Sequence, residues 1–210
     1  WACFGDVSDP MVVSERQFEA LEENQAAWPA LNEDGSYPEA MEVLVGDEDA
    51  EPGWVHARGY IHAPLKTVWD AMREADVVVN RASVETWYLD GECPLQGFAY
   101  CLEFYSSMSK FGVDFDTITT WMHELRTGND DDPEDVMMVY QKTWGTEVVS
   151  VNTGSVELTA VSKDVTALSY VGWLQIWGSD DSGAIAQYAD SLYVDVIAYV
   201  HGQPLPQFDD

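Results

Sequence analysis

Positive charge is what this chain lacks most. Nine Lys and Arg stand against 38 Asp and Glu, for a formal net charge of −29. Lys occurs only at positions 66, 110, 142 and 163. Phosphate contacts need clustered Lys and Arg, so nucleic acid is excluded as a partner and an anionic membrane surface is repelled. Long apolar runs are missing too. No stretch of about 18 apolar residues occurs, which leaves no transmembrane helix. Cysteine is sparse: Cys3, Cys93 and Cys101 are all there is. Their spacing matches no zinc pattern. Cys93 and Cys101 flank a turn and could pair, leaving Cys3 odd, or all three could be buried free thiols. No GxSxG, HExxH, CxxC, P-loop or dinucleotide fingerprint is present. Nothing therefore calls for a cofactor, a metal ion or a catalytic residue set.

What is present is a globular chain of 210 residues, 46% hydrophobic, with nine Trp. That length suits one well-buried domain. The acids are spread along the whole chain, as on a solvated acidic surface that keeps a protein soluble at high salt. Residue 1 is Trp rather than Met. A processed, extracytoplasmic or secreted protein is expected, with the cytoplasm of a salt-adapted organism as the alternative.

The segment Trp54–Glu74 (WVHARGYIHAPLKTVWDAMRE) carries the strongest local pattern. Val55, Ala57, Gly59 and Ile61 alternate with His56, Arg58, Tyr60 and His62, which predicts a strand. Pro64 suits the first position of a helix, because its missing N–H costs nothing there. Leu65, Val68, Trp69 and Met72 then share one helical face. Ala75–Arg81 supplies a second short helical turn. Strand candidates follow at Val84–Leu89, Phe98–Tyr105, Val113–Leu125, Val136–Trp144, Val148–Val151, Val156–Val161 and Ala167–Trp177. Asp90-Gly91, the 128–133 loop and Asn152-Thr153-Gly154 read as turns between them. Near the end, 183–202 spaces Ile185, Tyr188, Ala189, Leu192, Val196, Tyr199 and Val200 helically. Gln187, Ser191 and Asp195 form its polar side, and Gly202 and Pro204 stop it.

Strand, "APxxxVW", helix, an antiparallel meander and a long apolar final helix together resemble the START-like (SRPBCC) superfamily. This is the helix-grip fold of lipid-transfer domains, pollen-allergen proteins and polyketide cyclases. The resemblance covers roughly residues 54–202. It implies an α+β fold in which a curved antiparallel sheet of six to seven strands wraps a long C-terminal helix. Residues 1–53 lie outside it and are expected as a helical extension ending in the acidic linker Gly46–Gly53. Ser14-Glu15-Arg16-Gln17 and Ser36-Tyr37-Pro38-Glu39 read as capping boxes. Phe18, Leu21, Gln25 and Trp28 trace one helical stripe, and Ala40, Val43 and Leu44 continue a second helix. These helices would dock on the outside of the domain, cover a cavity mouth, or join copies of the chain into a homo-oligomer.

The resemblance also implies a non-enzymatic protein that holds a hydrophobic, lipid-like small molecule between sheet and helix. Wall candidates by strand alternation are Tyr100, Leu102 and Phe104; Tyr140 and Trp144; Leu158; and Trp173. Tyr188, Leu192 and Val196 would face them from the helix. A one-residue slip reverses the parity of any strand. Two alternatives stand beside this reading. One is a structural or assembly protein built on a filled scaffold. The other is a cyclase-like enzyme using Tyr100, Glu103, His123 and Tyr140.

Overall fold

The computed structural model describes residues 19–207 apart from 48, 94, 96, 111–112 and 178–180. Alternation in β-branched and aromatic residues gives eight strands. They are β1 (Met41–Val45), β2 (Gly53–Ile61), β3 (Thr86–Glu92), β4 (Tyr100–Lys110), β5 (Val113–Asn129), β6 (Asp132–Gly145), β7 (Val149–Ser162) and β8 (Val165–Ile176). Two short helices, α1 (Leu65–Ala71) and α2 (Ala75–Val78), sit between β2 and β3, and α3 (Asp181–Val200) follows β8. The strands form one open antiparallel sheet in the order β1-β2-β8-β7-β6-β5-β4-β3. It curves around α3, so the α+β architecture is as the resemblance implies, with eight strands instead of six or seven.

One merger accounts for part of the longer strands. The predicted turn at Asn152-Thr153-Gly154 does not exist, and β7 runs straight through it. Gly154 lies in register between Tyr140 of β6 and Gly172 of β8. A Cβ there would stand 2.5 Å from Cε1 of Tyr140. Glycine at this position is therefore a packing requirement, not a turn signal.

The N-terminal region departs furthest from expectation. Residues 19–30 contain no helix, and Phe18 and the first capping box lie outside the described residues. Ala40–Leu44 is not helical either. It belongs to β1 and its approach, paired antiparallel with β2. Glu39 does not cap a helix: its carboxylate accepts from His62 N–H at 2.8 Å. The 19–30 segment instead lies as a strap across the outer face of β2 and β8. Asn24 Nδ2 donates to the carbonyls of Ala57 and Tyr170 at 2.9 and 3.1 Å. Arg58 donates to the carbonyls of Asn24 and Ala26. His56 Nδ1 accepts from Gln25 N–H, and its Nε2 lies 2.8 Å from Glu22. The polar side chains of β2 hold this strap, and long-range hydrogen bonds override its helical spacing.

The core lies between α3, α1 and the concave face. Ile185, Ala189, Leu192 and Val196 are buried along α3, facing Leu158 and Leu168 of the sheet in one cluster. Burial of each of the Ile, Leu and Val side chains contributes about 1.5–3 kcal/mol. On the expected polar side of α3, Asp195 is buried and pairs with Arg81 at 2.5 Å. Pro64 stands as N-cap of α1 rather than inside it. Trp69 of α1 drops into the core and donates from Nε1 to Nδ1 of His123 at 3.0 Å. Cys93, just past β3, and Cys101 of β4 form a disulfide, with Cα atoms 5.2 Å apart.

Candidate functional site

A cavity of about 130 Å³ opens between the concave face and the N-terminal half of α3. On β5, Phe115, Thr117, Thr119 and Trp121 all point into it, two residues apart. Phe104, Ser106 and Met108 of β4 continue that wall. Val149, Leu174 and Ile176 close the opposite side, and Val78, Val79 and Val84 border it from α2 and the loop beyond. Ala184, Ile185 and Tyr188 of α3 form the roof. The lining is apolar and aromatic with a few hydroxyls and amides, and among the described residues it contains no charged side chain.

An aromatic cluster forms the inner end. Tyr140 stacks on Trp121, with ring centres 4.6 Å apart and planes 21° apart. Tyr188 meets the ring of Tyr140 edge-on and donates from its hydroxyl to Val78 O at 2.7 Å. The hydroxyls of Tyr140 and Tyr170 lie 2.6 Å apart. Burial raises the pKa of all three phenols above the ordinary tyrosine value, so they stay protonated at neutral pH.

The ten wall candidates divide into four groups. Phe104, Tyr140 and Tyr188 line the cavity. Leu102, Leu158, Leu192 and Val196 are packed in the core outside the lining. Tyr100 packs edge-on against Trp69 at 5.2 Å, under the guanidinium of Arg73 at 4.2 Å. Trp144 and Trp173 face away from the cavity. Trp173 is one residue out of phase with Leu174 and donates from Nε1 to Glu22 of the strap at 2.9 Å. Trp144 shares the parity of Tyr140, but β5 and β6 change register between the pairs Thr119–Lys142 and Ile118–Trp144. The extra residue, Thr143, turns Trp144 to the outer face, where it is 43% exposed.

The polar groups weighed for a cyclase do not form one centre. Glu103 lies between Leu102 and Phe104 and therefore on the other face. His123 is fully buried, and burial, then the nearby Arg73 charge, lowers its pKa to about 3. The indole of Trp69 can only donate, so Nδ1 is the acceptor and the proton of neutral His123 sits on Nε2. Among the described residues that Nε2 has no hydrogen-bond partner. Among the described residues no three His, Cys, Asp or Glu side chains gather as a metal set.

Sequence reasoning missed the β5 wall and the α2 border. The spacing Phe115, Thr117, Thr119, Trp121 was legible as one strand face. Nothing local showed that this face, with α2 opposite, would enclose the space.

Neither a protein-family model nor a curated protein matches the sequence. Solved structures do. Human STARD10 superposes with a TM-score of 0.54 at 13% identity, covering 80% of this chain and 74% of that one. A STAR-related lipid transfer protein from Xanthomonas axonopodis gives 0.52 at 14% identity, covering 79% and 93%. The lipid transfer and protein localization domain of human StarD13 gives 0.51 at 12% identity, covering 81% and 88%. Likeness at these identities is likeness of fold. Eight antiparallel strands, two short helices after β2 and a gripped C-terminal helix agree with it: the chain has the START-like, helix-grip fold.

Proposed function

We propose that this protein binds a neutral, predominantly apolar small molecule in the cavity between α3 and the sheet. One observation carries the reading. In a chain with net charge −29, the cavity lining contains no charged side chain among the described residues. A charged ligand would enter without a counter-charge, at prohibitive cost. Size sharpens the class. A cavity of about 130 Å³ is close to the engineered apolar cavity of about 150 Å³ that accepts benzene. As it stands, the space takes one ring or a short acyl segment, and a diacyl lipid would require α3 to move from the sheet. The lipid transfer named for the structural neighbours supports an apolar cargo. The Cys93–Cys101 disulfide supports an oxidising compartment.

The test uses toluene and benzoate as probes in ligand-observed NMR. Toluene is expected to bind and benzoate not to. Ala184→Phe, which plugs the roof at a half-buried position, is expected to weaken toluene about tenfold, equivalent to about 1.4 kcal/mol, with circular dichroism unchanged. Absence of toluene binding, or equal binding of benzoate, overturns the reading.

A second reading, an assembly scaffold, draws on Trp177, which is 86% exposed at the end of β8. Concentration-dependent oligomers by light scattering, abolished in Trp177→Ser, would favour it.

A further inference from the structure

The inner end of the cavity contains one more hydroxyl proton than its hydrogen bonds use. Tyr140 pairs with Gly154 of β7, and Gly154 pairs with Gly172 of β8. Tyr170 stands two residues before Gly172, on the same face. The two phenols reach toward each other over a floor without side chains. A Cβ on Gly172 would stand 3.1 Å from Tyr140 Oη and closer still to Tyr170 Oη. Two glycines on neighbouring strands are thus needed to seat one hydroxyl pair.

The pair makes a single hydrogen bond of 2.6 Å. Each hydroxyl has one proton to donate. Whichever oxygen donates, the other proton is left over. Among the described residues neither oxygen makes any other hydrogen bond. Tyr140 and Tyr170 are 1% and 0% exposed, so bulk water does not take up the proton. A buried donor without an acceptor costs about 1–3 kcal/mol. Of the two residues, Tyr140 lines the cavity and Tyr170 does not. Tyr188 does not take it up: its hydroxyl is turned to Val78 O, and among the described residues neither phenol hydrogen-bonds to it.

We propose that Tyr170 donates to Tyr140, and that Tyr140 Oη–H donates in turn to a carbonyl oxygen of the bound molecule. The ligand class is then a neutral carbonyl compound, a ketone or an ester, with its apolar body against Trp121, Phe104 and Ile185. A carbonyl accepts without bringing a donor that would itself need a partner. A carboxylate would satisfy the proton but bring a charge that no described residue of the lining neutralises. The stacking of Tyr140 on Trp121 fixes the ring, so the donor is in place before the ligand arrives.

This inference rests on the binding reading above, and the experiment separates the two. Acetophenone and α-methylstyrene have nearly the same shape and differ in C=O against C=CH₂. Both affinities are measured for the wild type, Tyr140→Phe and Tyr170→Phe. The preference for acetophenone over α-methylstyrene is expected to fall roughly five- to tenfold in Tyr140→Phe, the worth of one neutral hydrogen bond. Tyr170→Phe is expected to keep it within about twofold, because Tyr140 retains its own proton. An unchanged preference in Tyr140→Phe overturns the carbonyl assignment while leaving the cavity a binding site. Failure of the wild type to bind either probe overturns the binding reading itself. Should Tyr140→Phe fold poorly, the infrared carbonyl band of acetophenone on the wild-type protein decides. A shift to lower frequency than in hexane supports the hydrogen bond, and an unshifted band removes it.

Discussion

Tyr140, Tyr170, Tyr188 and His123 set the pH limits of this protein. Burial is the largest cause of the shift in each. The phenols titrate above their ordinary value of 10.0 in the native state. Above pH 10 the unfolded chain releases these protons while the native chain retains them. Stability is therefore present in full below pH 10 and is lost as pH rises through the raised native values. The slope is about 1.4 kcal/mol per pH unit for each phenol, or about 4 for the three together. His123 works in the opposite sense, from 6.5 down to about 3. Its contribution is complete above pH 6.5 and falls by up to about 1.4 kcal/mol per unit as pH drops toward 3. Urea unfolding at stepped pH should show a plateau between these limits. His123→Gln should flatten the acid limb relative to the wild type. Tyrosinate absorbance from the buried phenols should appear only together with unfolding. An alkaline limb no steeper than one proton would contradict the burial of this cluster.

At the scale of elements, the strap over residues 19–30 shows how far local pattern and tertiary outcome can diverge. Leu21, Gln25 and Trp28 do recur at helical spacing. An isolated helix of that length is marginal in water. The strap gains more by hydrogen bonding to the outer face of β2 and β8. Asn24 is the central link, buried with its amide shared between Ala57 O and Tyr170 O. Asn24→Ala is expected to cost about 1–3 kcal/mol, because two carbonyls lose a donor. Hydrogen exchange should quicken between residues 19 and 40 while α3 and the cavity walls stay protected. Equal loosening of α3 would show that the strap is integral to the core instead of an added layer. β1 teaches the same lesson. Met41–Val45 forms a strand because β2 leaves a pairing edge there, a fact that no reading of residues 36–44 alone contains.

Over the whole molecule, the excess of acid dominates. A net charge of −29 repels itself in the compact state. The screening length shrinks from about 30 Å at 0.01 M salt to about 3 Å at 1 M. Thermal unfolding should therefore move upward across that range in sodium chloride, by several degrees for each kcal/mol relieved. A midpoint that stays level or falls would show that the acids are already neutralised by neighbours. Among the described residues no acid lines the cavity, so salt should change stability far more than it changes affinity for a neutral probe.

The sequence by itself determined the elements that depend on near neighbours. The strand through Trp54–Ile61, the proline-led helix after it, the antiparallel meander and the long apolar helix each carry their own periodicity. Their order alone points to the helix-grip fold. Three things needed the tertiary structure. Gly154 reads locally as a turn, and only the ring of Tyr140 packed against it shows why the strand continues. Trp144 follows the parity of Tyr140 until one extra residue, Thr143, reverses it. The cavity is lined from β4, β5, β6, β7, β8, α2 and α3 together. Which side chains meet across it depends on register between strands distant in sequence, and register is set by long-range packing that no local period encodes.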